Sequence, residues 1–457
     1  MADMNHLLSM RLFFDSGTTR SYLYRKEQLT KLKKIIIAYE LPLQEALYKD
    51  LKKSPEETWI TETGFLLAEI SNALNNLQKW METKRVGTNL LNFPSKSFVM
   101  TEPLGVVLVI GPWNYPLQLL LTPLVGAIAA GNCVVLKPSE FAPATAAVVK
   151  KIINETFDKQ YIQLVEGDGA VVIPEMMNNF VFDHVFYTGG TAVGKVIYQM
   201  AATNLVPVTL ELGGKSPCIV ASDADIAVTA KRIVVTKFSN AGQMCVAPDY
   251  LLVHESKKDA LIDAFKNILL KFFGDDAFQS YDYGRIINEK QFDRLVGYLP
   301  QGRVLAGGRT NREKLYIEPT IIDNFPLTSS IMTEEIFGPI LPVLTFSHID
   351  EAKTIIARNK NPLALYVFTS DKKKEEDLLN SISFGGGCVN NAAFHLTNPH
   401  LPFGGRGFSG SGNYHGKFSY ETFSHKKAIM KTPTWFDPAI KYPSLKGKLK
   451  MLKKFIK

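Results

Sequence analysis

The chain has 457 residues, 46% of them hydrophobic and 21% charged. This is the make-up of a soluble globular protein too long for a single core, and it excludes a disordered chain. A formal charge of +8 hints at nucleic acid, but seven lysines and no acid lie between Lys441 and Lys457, so the body is nearly neutral and no nucleic-acid partner is expected. Cys133, Cys218, Cys245 and Cys388 are too few and too scattered for a disulfide framework, and no CxxC pair suggests a metal. A reducing, cytoplasmic setting follows as the default.

The opening MADMNHLLSMRLFF lacks a charged segment before an apolar core, so no signal peptide is predicted. Residues 21–87 carry a helical pattern. Within them Ser54-Pro55-Glu56-Glu57 predicts a helix start, with Ser54 as cap, Pro55 at the first helical position and Glu57 closing a capping box. Between Glu102 and Lys137 run 34 uncharged residues, enough to cross a bilayer. Pro103, Pro112, Pro116, Pro123, Gly105, Gly111, Gly126 and Gly131 cut that run into LGVVLVI, PLQLLLTPLVGAIAA and CVVL. Strand, helix and strand make a βαβ unit, whose parallel strands are apolar because both faces are covered. A soluble α/β core is therefore preferred to a membrane span.

A helix near Ala144–Phe157 and strands near Ile162–Val165 and over 184–189 extend the parallel sheet. TGGTAVGKVIYQMA is a strand-to-helix turn, but its Gly189, Gly190 and Gly194 do not spell G-x-G-x-x-G, so alone it is a weak phosphate-loop signal. Past ELGGKSPCIV the alternation resumes with a helix over 225–238, a strand over 250–254 and a helix over 257–272. A long Gly/Asn loop spans 385–412, where the backbone must adopt unusual conformations or approach something closely. The final KGKLKMLKKFIK is expected first as a solvated helix packing its Leu/Met/Phe side on its own protein. The second expectation is an amphipathic membrane-surface segment.

One thiol stands apart. Cys133, Cys218 and Cys388 lie in strand-like runs, the ordinary place of a structural cysteine, whereas Cys245 sits in GQMCVAPDY, among small neighbours that leave room for a substrate carbon.

Six motifs, PWNYP (112–116), KPSE (137–140), ELGGKSP (211–217), GQMC (242–245), EEIFGP (334–339) and LPFGG (401–405), occur in the order found in aldehyde dehydrogenases, and together they span most of the chain. The chain resembles that superfamily, and CVAPDY, YHGKFSYETFSH and the short N-terminus are similar to its class 3 branch. The chemistry is consistent with the match. A free aldehyde is a poor hydride donor; attack by a thiolate gives a thiohemiacetal that donates well, and water must then cleave the thioester. The resemblance makes Cys245 the nucleophile, Asn114 the oxyanion donor together with the Cys245 N–H, and Glu211 the base for deacylation. Glu211 sits in an apolar, Gly-rich setting that raises a carboxyl toward the working pH.

The same resemblance places Lys137 and Glu140 on the adenosine ribose, Trp113 and the Gly189–Gly194 turn along the adenosine and pyrophosphate, and Glu335 and Phe337 on the nicotinamide side. Glu140 repels a 2′-phosphate and Lys137 attracts one, so NAD is favoured and NADP tolerated. Tyr115 and Phe403 fall where the family lines its substrate funnel, implying an aliphatic or aromatic aldehyde. Two departures stand out: Gly190 replaces a Ser or Asn of the family's turn, and Met244 a frequent Thr.

The expected architecture is α/β. A Rossmann-like parallel-sheet cofactor domain (1–87 and 103–210) joins an α/β catalytic domain (211–390), with a small β oligomerisation arm (88–102 and 391–440) and a basic tail (441–457). The resemblance implies a homodimer. Three alternatives differ in a testable way: transfer of the acyl group to coenzyme A, which leaves Glu211 without a task; a cysteine hydrolase, for which no His partner is evident; and a membrane-surface protein acting through the lysine tail.

Overall fold

The computed structural model describes residues 4–455. The uncharged run folds as the strand Val106–Ile110, the helix Gln118–Ala130 and the strand Cys133–Lys137, with Val106 in parallel register with Cys133 and every one of those strand residues buried. No helix among the described residues is long and apolar enough to cross a membrane.

These two strands form the middle of a six-stranded sheet ordered Gly410–Ser411, Val208–Glu211, His184–Thr188, Val106–Ile110, Cys133–Lys137, Ile162–Leu164. It is parallel except for Gly410–Ser411. Chain order reverses between Val106–Ile110 and His184–Thr188, the first and fourth parallel strands of the chain. Open α/β sheets bind ligands in the crevice outside the carboxyl ends at such a point. Trp113 and Asn114 follow one of these strands, Gly189 and Gly190 the other.

Glu211 ends the last parallel strand of this sheet, and six residues later Pro217 begins a second, seven-stranded sheet. Its order is Arg303–Ala306, Thr320–Asp323, Ile340–Phe346, Tyr250–His254, Pro217–Val220, Ala364–Phe368, Gly386–Val389. Only the edge strand Arg303–Ala306 is antiparallel. The segment 211–217 therefore bridges two parallel sheets.

Lys84–Val86, Lys96–Pro103 and Ser424–Lys431 form a separate three-stranded antiparallel sheet. Residues 391–423 belong elsewhere: Gly410 pairs with Glu211 in the cofactor sheet, and Phe403 pairs with Tyr414 in an isolated bridge. A glycine-rich strand with no side chain to hold it in an arm can lie flat against Glu211, and Gly410 adopts φ +146 to do so. The tail helix, Leu449–Phe455, is short, with Leu449 and Met451 62% and 46% exposed and Leu452 half-buried.

Candidate active site

Cys245 is held by a loop that bends against its own preferences. After the helix Ile226–Phe238, Asn240, Ala241 and Gly242 all take positive φ (50, 51 and 72), a conformation that costs a non-glycine residue about 1–2 kcal/mol. At Gly242 a Cβ would collide with the Gly338 carbonyl, so only glycine lets the loop pass beneath EEIFGP. Gln243 anchors it, donating to the Asn240 and Arg285 carbonyls at 3.0 and 2.9 Å and accepting from the Ile287 N–H at 3.0 Å. Cys245 is half-buried. Burial, together with Glu335 and Glu211, pushes its thiol up to about 12, while the N–H groups of Cys245 and Val246 oppose that rise.

Glu211 is 3% exposed, and neither carboxyl oxygen has a hydrogen-bond partner among the described residues. Burial alone raises it well above the carboxylate range. Asn114 is buried, and its amide donates to the Gln243 carbonyl at 3.0 Å. The Asn114 segment and the thiol loop are thus in contact.

A cavity of about 710 Å³ reaches Cys245 and Glu211. Thr188, Tyr115, Leu119, Met244, Phe394, Phe403 and Tyr414 also line it, as do the exposed Glu56, Ile60, Lys271 and Asp282. Both expected substrate residues line it. Phe403 stacks on the His415 ring at 5.1 Å, and Lys53 sits 3.9 Å from the Tyr115 ring centroid.

On the other side of the thiol lies EEIFGP. Burial raises Glu335 to about 8, and its carboxyl is packed so close to Gly213 that a Cβ there would overlap it. Phe337 has φ +50, an outlier for a bulky residue, and its ring meets Trp113 edge-on at 5.3 Å. Arg294 holds this loop through the Glu335 and Ile336 carbonyls, at 3.2 and 2.7 Å.

The residues expected along the dinucleotide lie at the carboxyl ends of the cofactor strands. Lys137 donates to Glu140 at 3.0 Å, whose other oxygen accepts from the Gly169 N–H at 3.1 Å. An acid fixed at the end of the second strand is where such folds read a ribose. The twelve-residue helix Thr191–Ala202 starts beside them, offering backbone N–H groups to an anion. Gly190 has nothing within 4 Å of where a Cβ would be, so its difference from the family costs a contact without blocking the turn. Gly194 lets the helix approach Leu212, and Gly189 clears Tyr187. These residues fit a dinucleotide.

The match to the aldehyde dehydrogenase family runs over residues 14–429. The chain belongs to the aldehyde dehydrogenase family. It is 49% identical over 449 residues to the 4,4′-diaponeurosporen-aldehyde dehydrogenase of Staphylococcus aureus, covering 98% of this chain and 97% of that one. It is 44% identical to aldehyde dehydrogenase family 3 member H1 of Arabidopsis thaliana, covering 99% and 94%. Staphylococcus aureus AldH in a substrate-bound state superposes with a TM-score of 0.97 at 47% identity, each chain covered completely. A Staphylococcus aureus betaine aldehyde dehydrogenase in complex with NAD+ gives 0.84 at 28%, covering 95% and 91%. This chain is accordingly an NAD(P)-dependent aldehyde dehydrogenase, an oxidoreductase of the class 3 branch.

Several groups of this aldehyde dehydrogenase's site were not foreseen. Glu57 does not close its capping box: Ser54 Oγ accepts the Glu57 N–H at 3.2 Å, but the Glu57 carboxylate accepts the Asn240 N–H at 2.7 Å instead, supporting the strained thiol loop. Lys237 is fully buried with no hydrogen-bond partner for Nζ among the described residues, and burial lowers it to about 8. Lys215 pairs with Asp249, and Asp249 accepts the Ile336 N–H at 2.9 Å. Only the lysine inside the apolar end of a helix, at 237, left a signal in the sequence.

Proposed function

We propose that this dehydrogenase oxidises aliphatic or aromatic aldehydes to carboxylic acids through an acyl group carried on Cys245. The observation that carries the reading is a largely apolar cavity lined by both a half-buried thiol, Cys245, and a carboxyl, Glu211, that has no hydrogen-bond partner among the described residues. As the Cys245 thiol releases its proton to solvent, its sulfur bonds to the aldehyde carbon, and the carbonyl π pair moves to oxygen as negative charge that the Asn114 amide and the Cys245 N–H stabilise. A nicotinamide held at this site would supply the acceptor for the hydride that leaves this carbon as the oxyanion reforms the carbonyl, which leaves the thioester on Cys245. Glu211, in its ionised form, then removes a proton from water as the water oxygen attacks the thioester carbon, and the Cys245 sulfur departs with the C–S electron pair.

Lys137, Glu140, Trp113 and the Gly189–Gly194 turn would hold the adenosine half of the dinucleotide, and Glu335 with Phe337 the nicotinamide half. NAD is the preferred form and NADP a second. The apolar walls, and the likeness to a dehydrogenase named for a diaponeurosporen aldehyde, favour long apolar substrates. The antiparallel arm supports a homodimer through its edge strands. Exposed Leu445, Leu449 and Met451 among the tail lysines support weak contact with a membrane surface, and four free cysteines a cytoplasmic setting.

The test is a panel of aldehydes of increasing length with each cofactor, with and without coenzyme A, on the wild type and Cys245→Ser. Carboxylic acid is the expected product, independent of coenzyme A, and the variant should bind NAD without turning over. Full activity of Cys245→Ser refutes the reading, and a thioester of coenzyme A as product replaces it.

A further inference from the structure

We propose that Lys53 and Glu62 are positioning residues for the acylation step: a buried strut that fixes the Asn114 amide and the Tyr115 ring against the reacting carbon. The proposal rests on the reading above that Asn114 is the oxyanion donor.

Both side chains are 0% exposed and their charges meet at 2.6 Å. A buried pair of this kind is a weak source of stability, because losing the hydration of two ions roughly offsets their attraction. Its remaining bonds converge on one short segment. Lys53 Nζ donates to the Asn114 carbonyl at 3.0 Å and lies 3.9 Å from the Tyr115 ring centroid. The second Glu62 oxygen accepts the N–H groups of Leu117 and Gln118, at 3.2 and 2.9 Å. One ion pair therefore holds residues 114–118 from both ends.

Local backbone directs both groups inward. Lys52 ends the helix Glu40–Leu51 with φ 56, turning Lys53 into the interior. Glu62 lies in a single π-helical turn, Trp59–Thr63, a distortion common at functional sites. The Asn114 carbonyl also accepts the Asn240 side-chain amide at 2.8 Å, and that same amide reaches the Gln243 carbonyl at 3.2 Å. The strut thus sets the spacing between the donor segment and the thiol loop, and neither charge lies on the substrate path.

The test compares Lys53→Met, Glu62→Gln, the double variant Lys53→Met/Glu62→Met and Asn114→Ala. The readouts are kcat and KM, cofactor-free hydrolysis of an aryl ester, alkylation of Cys245 by iodoacetamide and melting temperature. Alkylation requires no oxyanion donor. The single variants leave an unpaired buried charge or a broken pair and lower the melting temperature, whereas the double variant removes both charges and restores it. Misplacing a donor by an ångström is worth about 100-fold in rate. The double variant should therefore keep kcat and ester hydrolysis about 30- to 100-fold down, with KM and alkylation within twofold of wild type. Recovery of kcat along with melting temperature overturns the proposal and leaves the pair a structural element. Full activity of Asn114→Ala instead removes the donor reading on which the proposal stands.

Discussion

Replacing Glu211 by Gln keeps the shape of the side chain and removes only its ability to take a proton. Neither oxygen is hydrogen-bonded within the described protein, so the exchange breaks no internal bond and its kinetic effect falls on deacylation. A positioned general base contributes about 10²–10⁴-fold, which is ~3–5 kcal/mol of barrier at 1.36 kcal/mol per decade. Stopped-flow absorbance of reduced nicotinamide should show a burst equal to the site concentration, followed by turnover slowed by that factor. Stability supplies an independent check. Burial raises the Glu211 pKa, so between the unfolded value near 4.5 and the raised folded value the native state holds the proton and the unfolded state does not. Wild-type stability therefore falls as pH climbs through that window, by at most ~1.4 kcal/mol per pH unit from this group. Denaturant melts should find Glu211→Gln near wild type at pH 4.5 and gaining on it as pH climbs above that unfolded value. A variant with no burst, or with unimpaired kcat, refutes the role; parallel pH curves refute the buried, unpaired state.

Three further outcomes follow from the same geometry. Because the Cys245 thiol is pushed up to about 12, iodoacetamide alkylation of the free enzyme should rise steadily from pH 7 to 10, and a plateau near pH 7 would mean a preformed thiolate. Gly242→Ala places a Cβ against the Gly338 carbonyl at φ +72. It should displace the thiol loop, lowering kcat about 100-fold while NAD binding by tryptophan quenching survives; unchanged kcat would show that the loop has slack. Glu140→Gln removes the charge that repels a 2′-phosphate, so the ratio of kcat/KM for NADP over NAD should rise by about tenfold or more, one decade per 1.4 kcal/mol. An unchanged ratio would place the ribose elsewhere.

The parts of this enzyme that were readable in the sequence are those in which neighbours in the chain carry the signal. Apolar runs punctuated by Pro and Gly located the βαβ unit, and the helices at Pro143–Thr156, Ile226–Phe238 and Lys258–Phe273 lie within a residue or two of expectation. Between 303 and 389 the signals are weaker: Arg303–Ala306 and Gly386–Val389 have only four residues each, and Ile340–Phe346 contains Pro342. The site's supports were hidden for a different reason. Glu57 meets Asn240 across 183 residues and Lys53 meets Asn114 across 61, and no local pattern reports such contacts. Ala241 and Phe337 adopt positive φ although neither residue type announces it. A Ser-Pro-Glu-Glu sequence suggests a closed capping box, but the buried Asn240 N–H competes for the same carboxylate and wins because it has no water to turn to.

The most direct test of the whole account is intact-protein and peptide mass spectrometry of Glu211→Gln, mixed with NAD and a long apolar aldehyde and quenched in acid. One acyl group per chain is expected, on the peptide containing Cys245, with Cys133, Cys218 and Cys388 unmodified. Accumulation of no adduct while product still forms, or an adduct on any other cysteine, would contradict it.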